Sequence, residues 1–103
     1  GGLDGDDVQG NDDDDIVAGG ELTMATSQLV AILDEWAGTN DFSTRATNVF
    51  TGIGIGDGTG LNAITDDLGA ADGLNGGLGA DLFLIHGTDL SFAVRSNDIE
   101  QNV

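Results

Sequence analysis

The stretch GNDDDDIVAGG, residues 10–20, sets four adjacent aspartates, Asp12 to Asp15, against the apolar triplet Ile16–Ala18 and closes on two glycines. Like charges side by side repel, and such a run ordinarily marks a solvated loop or a disordered tail. Here Ile16 and Val17 follow without a break, as a strand would. Carboxylates packed that tightly against a strand need something to hold them together.

The register of the chain supplies it. Residues 1–9 read GGLDGDDVQ and residues 10–18 read GNDDDDIVA, with Asp at position 6 (Asp6, Asp15) and Val at position 8 (Val8, Val17). The pattern returns as GGLGADLFL, residues 76–84, with Asp81 at position 6 and Phe83 at position 8. The nine residues before it, Asp67 to Asn75, carry Asp72 and Leu74 at the same two positions. Glycines at the start of each unit permit a tight turn that carries backbone carbonyls inward, the Asp closes the turn, and the last three residues run as a short strand. Asn11, Asp4 and Asp13 stand where the pattern has glycine, and Asn and Asp are the residues that best tolerate left-handed angles.

These nonapeptides resemble the GGxGxDxUx repeat of the RTX family, in which the repeats bind calcium. The arrangement of repeats, a helix containing Asp34-Glu35-Trp36, the segment DFSTRATNVF and a final GGLGADLFL also looks like the closing module of large secreted RTX-type or cadherin-type bacterial proteins. The resemblance implies a mainly β fold, a parallel β-roll or β-helix of calcium-binding coils with a small inserted two-helix cap. It implies Ca²⁺ held by the carboxylates of Asp6, Asp15, Asp72 and Asp81 and by loop positions Gly1, Leu3, Gly10, Asp12, Gly76 and Leu78. Calcium takes six to eight oxygens at flexible geometry, which stacked loops of carbonyls and carboxylates supply. It further implies an extracellular or cell-surface location.

Composition narrows the partners. The formal charge is −17, from nineteen acids against two arginines, and sixteen of the acids are Asp. Phosphate binding needs clustered Lys and Arg, so the balance argues against nucleic acid and against an anionic membrane surface. No cysteine is present for a disulfide framework or a thiolate metal site. No apolar run approaches the length that spans a bilayer. Beginning at Gly1-Gly2 without an initiator Met, the chain reads as a fragment or processed piece, and copies of itself or upstream domains of a larger parent chain stand as partners besides calcium.

At 103 residues the chain is expected to form one domain: repeats over 1–20, an insertion over 21–66, repeats over 67–92 and a tail over 93–103. In the insertion Leu29, Ile32, Leu33 and Trp36 fall at helical spacing, predicting a helix over about Thr26 to Ala37, capped at Thr26 or Ser27 and stopped at Gly38. A second helix carries Phe42, Ala46, Val49 and Phe50 on one face and ends at Gly52, and Leu61 to Thr65 reads as a strand. Trp36, Phe42 and Phe50 are expected to form a hydrophobic cap over the roll.

Enzyme signatures are missing. His86 is the one histidine, which removes HExxH zinc chemistry, and it reads as a structural or exposed residue. There is no GxSxG elbow, and GIGIGDGTG (52–60) has neither a strict GxGxxG nor a lysine. An EF-hand fails because Gln9 stands where its glycine belongs. The expectation is a non-enzymatic calcium-binding structural module. The alternatives are a self-assembling subunit of a calcium-stabilised fibre or surface layer and, third, the non-catalytic tail of an exported enzyme.

Overall fold

The computed structural model describes residues 4–65, 69–92 and 94–103. The chain divides into two compact units, one formed by residues 1–21 with 65–103 and the other by residues 22–64.

The first unit is built from six short strands: β1 (Asp7–Gln9), β2 (Ile16–Ala18), β3 (Gly73–Asn75), β4 (Leu82–Ile85), β5 (Leu90–Phe92) and β6 (Ile99–Asn102). Consecutive strands alternate between two parallel sheets, β1-β3-β5 and β2-β4-β6. Parallel neighbours need a crossover, and here each strand crosses to the other sheet before the chain returns. The register aligns Val8 with Leu74 and Ser91 in one sheet, and Val17 with Phe83 and Glu100 in the other. These middle residues give three layers. Val17, Leu74 and Phe83 form the core, with Val8 and Ile85 packed against it. In the third layer the two middle residues are polar, and Ser91 Oγ donates to Glu100 Oε1 at 2.5 Å. The chain leaves this unit after Glu21 and re-enters at Thr65, and these two residues exchange N–H···O bonds of 2.9 and 3.2 Å.

The second unit holds α1 (Thr26–Trp36) and α2 (Phe42–Thr51), followed by a 3₁₀ turn, Leu61–Ala63. Asp41 caps α2 by accepting the Thr44 N–H at 2.8 Å, and Gly52 ends it in the left-handed region at φ 72°. The N-cap of α1 is Ala25, with no side-chain bond, in place of Thr26 or Ser27. Trp36 meets Phe42 edge to face, 5.7 Å between centroids, and the Arg45 guanidinium lies over both rings. The buried face of α1 is Gln28, Ile32 and Trp36, whereas Leu33 is 50% exposed. Gln28 is inside because its amide organises the glycine loop. Its Nε2 donates to the carbonyls of Ile55 and Thr59 at 2.9 and 2.7 Å, and its Oε1 accepts the Asp57 N–H at 2.8 Å.

Three sequence expectations are corrected. The fold is mixed α/β, two helices and two separate three-stranded parallel sheets, and not a mainly β closed or coiled roll. The physical reason lies in the lengths: glycine and aspartate turns limit every strand to three or four residues, while the helices run 11 and 10. Leu61 to Thr65 is no strand but a 3₁₀ turn and a single bridging residue, Thr65. The stretch expected as a tail carries β6, whose Ile99 continues the register of Ile16 and Leu82.

Candidate metal centre

Each strand of the first unit is immediately preceded by an aspartate, and these six aspartates form two ladders, joined by carboxylate oxygens of four of them. At one edge the Asp72 Oδ1 accepts the Asp6 N–H and the Asp89 Oδ1 accepts the Asp72 N–H at 3.0 Å. At the other, Asp81 Oδ1 accepts from Asp15 at 2.9 Å and Asp98 Oδ1 accepts from Asp81 at 2.8 Å. The intervals are the same in both ladders, 66 residues and then 17. One carboxylate oxygen thus ties each layer to the one before it, which is why a short polar side chain must stand at this position.

The second oxygen distinguishes the layers. Asp15 Oδ2, Asp72 Oδ2 and Asp81 Oδ2 are buried and have no hydrogen-bond partner. They pack against bare glycine backbone. A Cβ at Gly10 would sit 2.5 Å from Asp15 Oδ2 and 2.7 Å from the Gly76 carbonyl oxygen. One at Gly76 would overlap Asp81 Oδ2, and one at Gly19 would overlap the Oδ2 atoms of both Asp72 and Asp89. Burial pushes the Asp81 carboxyl above its ordinary range, against the Asp15 N–H bond that favours the charged form, and the Asp98, Asp15 and Asp14 charges raise it further. Asp15 is raised chiefly by burial and then by the charges of Asp13, Asp14 and Asp12.

The loops themselves stack. Asn11 and Asp13 take left-handed angles, φ 78° and 74°, and the Leu78 N–H donates to the Asn11 carbonyl at 2.7 Å. Gly77 and Gly79 lie so close to the Asn11 and Asp13 carbonyls that a side chain there would overlap them. Asp14 Oδ1 accepts the Ala80 N–H at 2.9 Å. The aspartate run of the opening stretch is therefore spread over distinct tasks: Asp13 turns the chain, Asp14 and Asp15 bind the neighbouring layer.

Of the residues singled out in the sequence, the structure brings Asp6 to Asp72, Asp15 to Asp81, and Gly10 to Gly76. Asp12 and Leu78 are exposed on the stacked loops. Gly1 and Leu3 lie outside the described residues. His86 is buried, with no partner for Nε2. Asp89 and Asp98 were not singled out, yet they complete both ladders. Among the described residues no group of three or more His, Cys, Asp or Glu side chains is arranged to hold a metal ion by itself, so any cation at these edges would have to draw on backbone carbonyls as well as carboxylates.

Compared with protein-family models, curated proteins and solved structures, the chain shows no match in any of the three.

Proposed function

We propose that this chain is a calcium-binding structural module of a secreted or cell-surface protein, whose strand unit orders when calcium meets the aspartate edges. The observation that carries the reading is the set of three buried carboxylate oxygens without partners, Asp15 Oδ2, Asp72 Oδ2 and Asp81 Oδ2. A buried carboxylate left uncompensated costs several kcal/mol, a cost that a bound cation would offset in a chain of net charge −17.

The donor set is all oxygen, with no cysteine and a single histidine, which suits calcium over zinc or copper. Asp72 beside Gly19, and Asp15 and Asp81 with the Gly76 carbonyl, are the groups that would hold it. Bound calcium supplies positive charge and vacant coordination positions for those oxygens. The chain's own part is to keep them facing one another on glycine backbone that leaves room. The resemblance of the nonapeptides to RTX calcium repeats supports the same chemistry.

Circular dichroism in chelator and in millimolar calcium tests it. The strand unit is expected to be poorly folded in chelator and ordered in calcium, since a ligand of the native state alone stabilises it by mass action. The affinity per site is expected at about 10⁻⁴ to 10⁻³ M, as in extracellular modules. Identical far-UV spectra and melting curves in the two conditions would sink the reading. A second reading, a subunit that assembles through calcium, is favoured by the terminal strand β5, on which Leu90 and Phe92 are exposed. Size in solution with and without calcium separates the two: a monomer supports the module, a large calcium-dependent assembly the subunit.

A further inference from the structure

Asp98 uses both of its oxygens on backbone donors. Oδ1 accepts the Asp81 N–H at 2.8 Å and Oδ2 accepts the Arg95 N–H at 2.6 Å. The Arg95 carbonyl in turn accepts the Asp98 N–H at 3.1 Å, closing a tight turn. Asp89 repeats the set at the other edge: Oδ1 takes the Asp72 N–H, Oδ2 the His86 N–H, both at 3.0 Å, and its own N–H goes to the His86 carbonyl at 2.9 Å. The equivalent oxygens one layer back, Asp72 Oδ2 and Asp81 Oδ2, are the partnerless ones. Within each ladder the third carboxylate therefore has its charge met by two N–H groups, where the second has one oxygen left over.

The middle residues of the same layer change independently. Val8 and Leu74 are followed by Ser91, and Val17 and Phe83 by Glu100, and the two polar side chains bond each other. An apolar column ends where its next member is a hydrogen-bonded Ser–Glu pair, since a further apolar layer stacked there would bury polar groups. Both observations describe a layer that finishes the stack.

We infer that Asp98, with Asp89 at the opposite edge, is a positioning carboxylate: it closes the stack without a cation of its own and holds the Asp81 loop in place for the cation that Asp81 binds. This rests on the calcium reading for Asp81. It departs from the sequence reading, in which position 98 falls in the tail outside the repeats. At the Asp89 edge Oδ2 also lies against Gly19 beside Asp72 Oδ2, so the test is placed on Asp98.

Calcium ions bound to the whole chain are counted by native mass spectrometry through a calcium titration, with circular dichroism giving the folding midpoint. Asp81→Asn is expected to hold fewer ions than the unsubstituted chain at saturation. Asp98→Asn keeps one acceptor oxygen of two. It is expected to hold the full number of ions, with a midpoint raised about three- to tenfold, the effect of losing one charge-assisted bond at a half-buried site. Loss of an ion in Asp98→Asn, as in Asp81→Asn, makes Asp98 a ligand and overturns the inference, and so does an unmoved midpoint. If Asp98→Asn does not fold, or if the unsubstituted chain takes up no calcium (which removes the calcium reading alone), amide exchange in the folded unsubstituted chain decides the closure. Slow exchange at both Asp81 and Arg95 supports it, and fast exchange at both overturns it.

Discussion

The two units meet their internal polar groups in opposite ways. In the helical unit the glycine loop closes on Gln28, a neutral amide whose one oxygen and one nitrogen serve three backbone groups. Glu35 Oε1 likewise accepts from Asn40 at 2.9 Å and Asn48 at 2.8 Å. In the strand unit the buried groups at the layer edges are carboxylates, and three of their oxygens are unmatched. Gln28 and Glu35 are matched from within the chain, and these three carboxylate oxygens are not. On the calcium reading, the helical unit is expected to fold by itself and the strand unit to depend on its solution.

The sharpest way to stress that comparison is to weaken the strand unit's core while calcium is saturating. Phe83 is fully buried in the middle of β4 and belongs to the Val17–Leu74–Phe83 cluster. Phe83→Ala removes the largest member of that cluster and should cost about 3–5 kcal/mol. A denaturation curve followed through Leu74 and Val17 methyl signals should show the loss, while Trp36 fluorescence should follow the helical unit. If the Leu74 and Val17 signals keep their midpoint, the three-layer core is not what holds the strands.

Gln28→Ala applies the corresponding stress to the other unit. It strands the Ile55 and Thr59 carbonyls and the Asp57 N–H, and leaving buried polar groups unmatched costs about 1–3 kcal/mol. Trp36 emission should report the destabilisation, and calcium concentration should leave it unaltered. A calcium-dependent cost would mean that the helical unit is not self-contained.

How far the sequence disclosed these features follows from how local they are. The nine-residue spacing pairs Asp6 with Asp15 and Asp72 with Asp81, and the structure carries each pair across to the other by backbone bonds to the carboxylates. Helix bounds near Gly38 and Gly52 were legible because caps are local. Asp89 and Asp98 escaped notice because Ser91 and Glu100 replace the apolar residue two places on, and the turns before them carry one glycine, Gly87, and none. The signal was their own nine-residue separation, and the 17-residue interval from Asp72 and Asp81. Gln28 was passed over for a different reason: it counts as polar in any periodicity, and its burial is set by a loop 27 to 31 residues away. The fold class misled most, because the repeats imply a roll and say nothing of how much ordered structure an insertion contributes.

The smallest expected effect separates the units by sign. Asp81 and Asp15 have folded-state pKa values raised above the ordinary 3.8, chiefly by burial. A raised carboxylate contributes stability that is present below the ordinary value and is lost as pH rises through the folded value. In chelator, therefore, acidification from neutrality toward pH 3.8 should strengthen the strand unit. Glu35 and Asp41 are lowered from 4.5 and 3.8, Glu35 by the Asn48 and Asn40 bonds and Asp41 by the Thr44 N–H. Lowered carboxylates contribute stability above the ordinary value that is lost as pH falls through the folded one, so the helical unit should weaken below about pH 4.5. The effect is modest at the strand edge because the Asp15 N–H bond partly offsets burial at Asp81, and modest at Glu35 and Asp41 because both are open to water. Calcium should abolish the first trend, since a bound cation favours the charged carboxylates, and leave the second in place. Measured together in chelator, Leu74 and Val17 methyl signals and Trp36 emission should move in opposite directions as pH falls from 7 to 4. Movement in the same direction would show that one electrostatic balance governs both units and that the contrast between them does not hold.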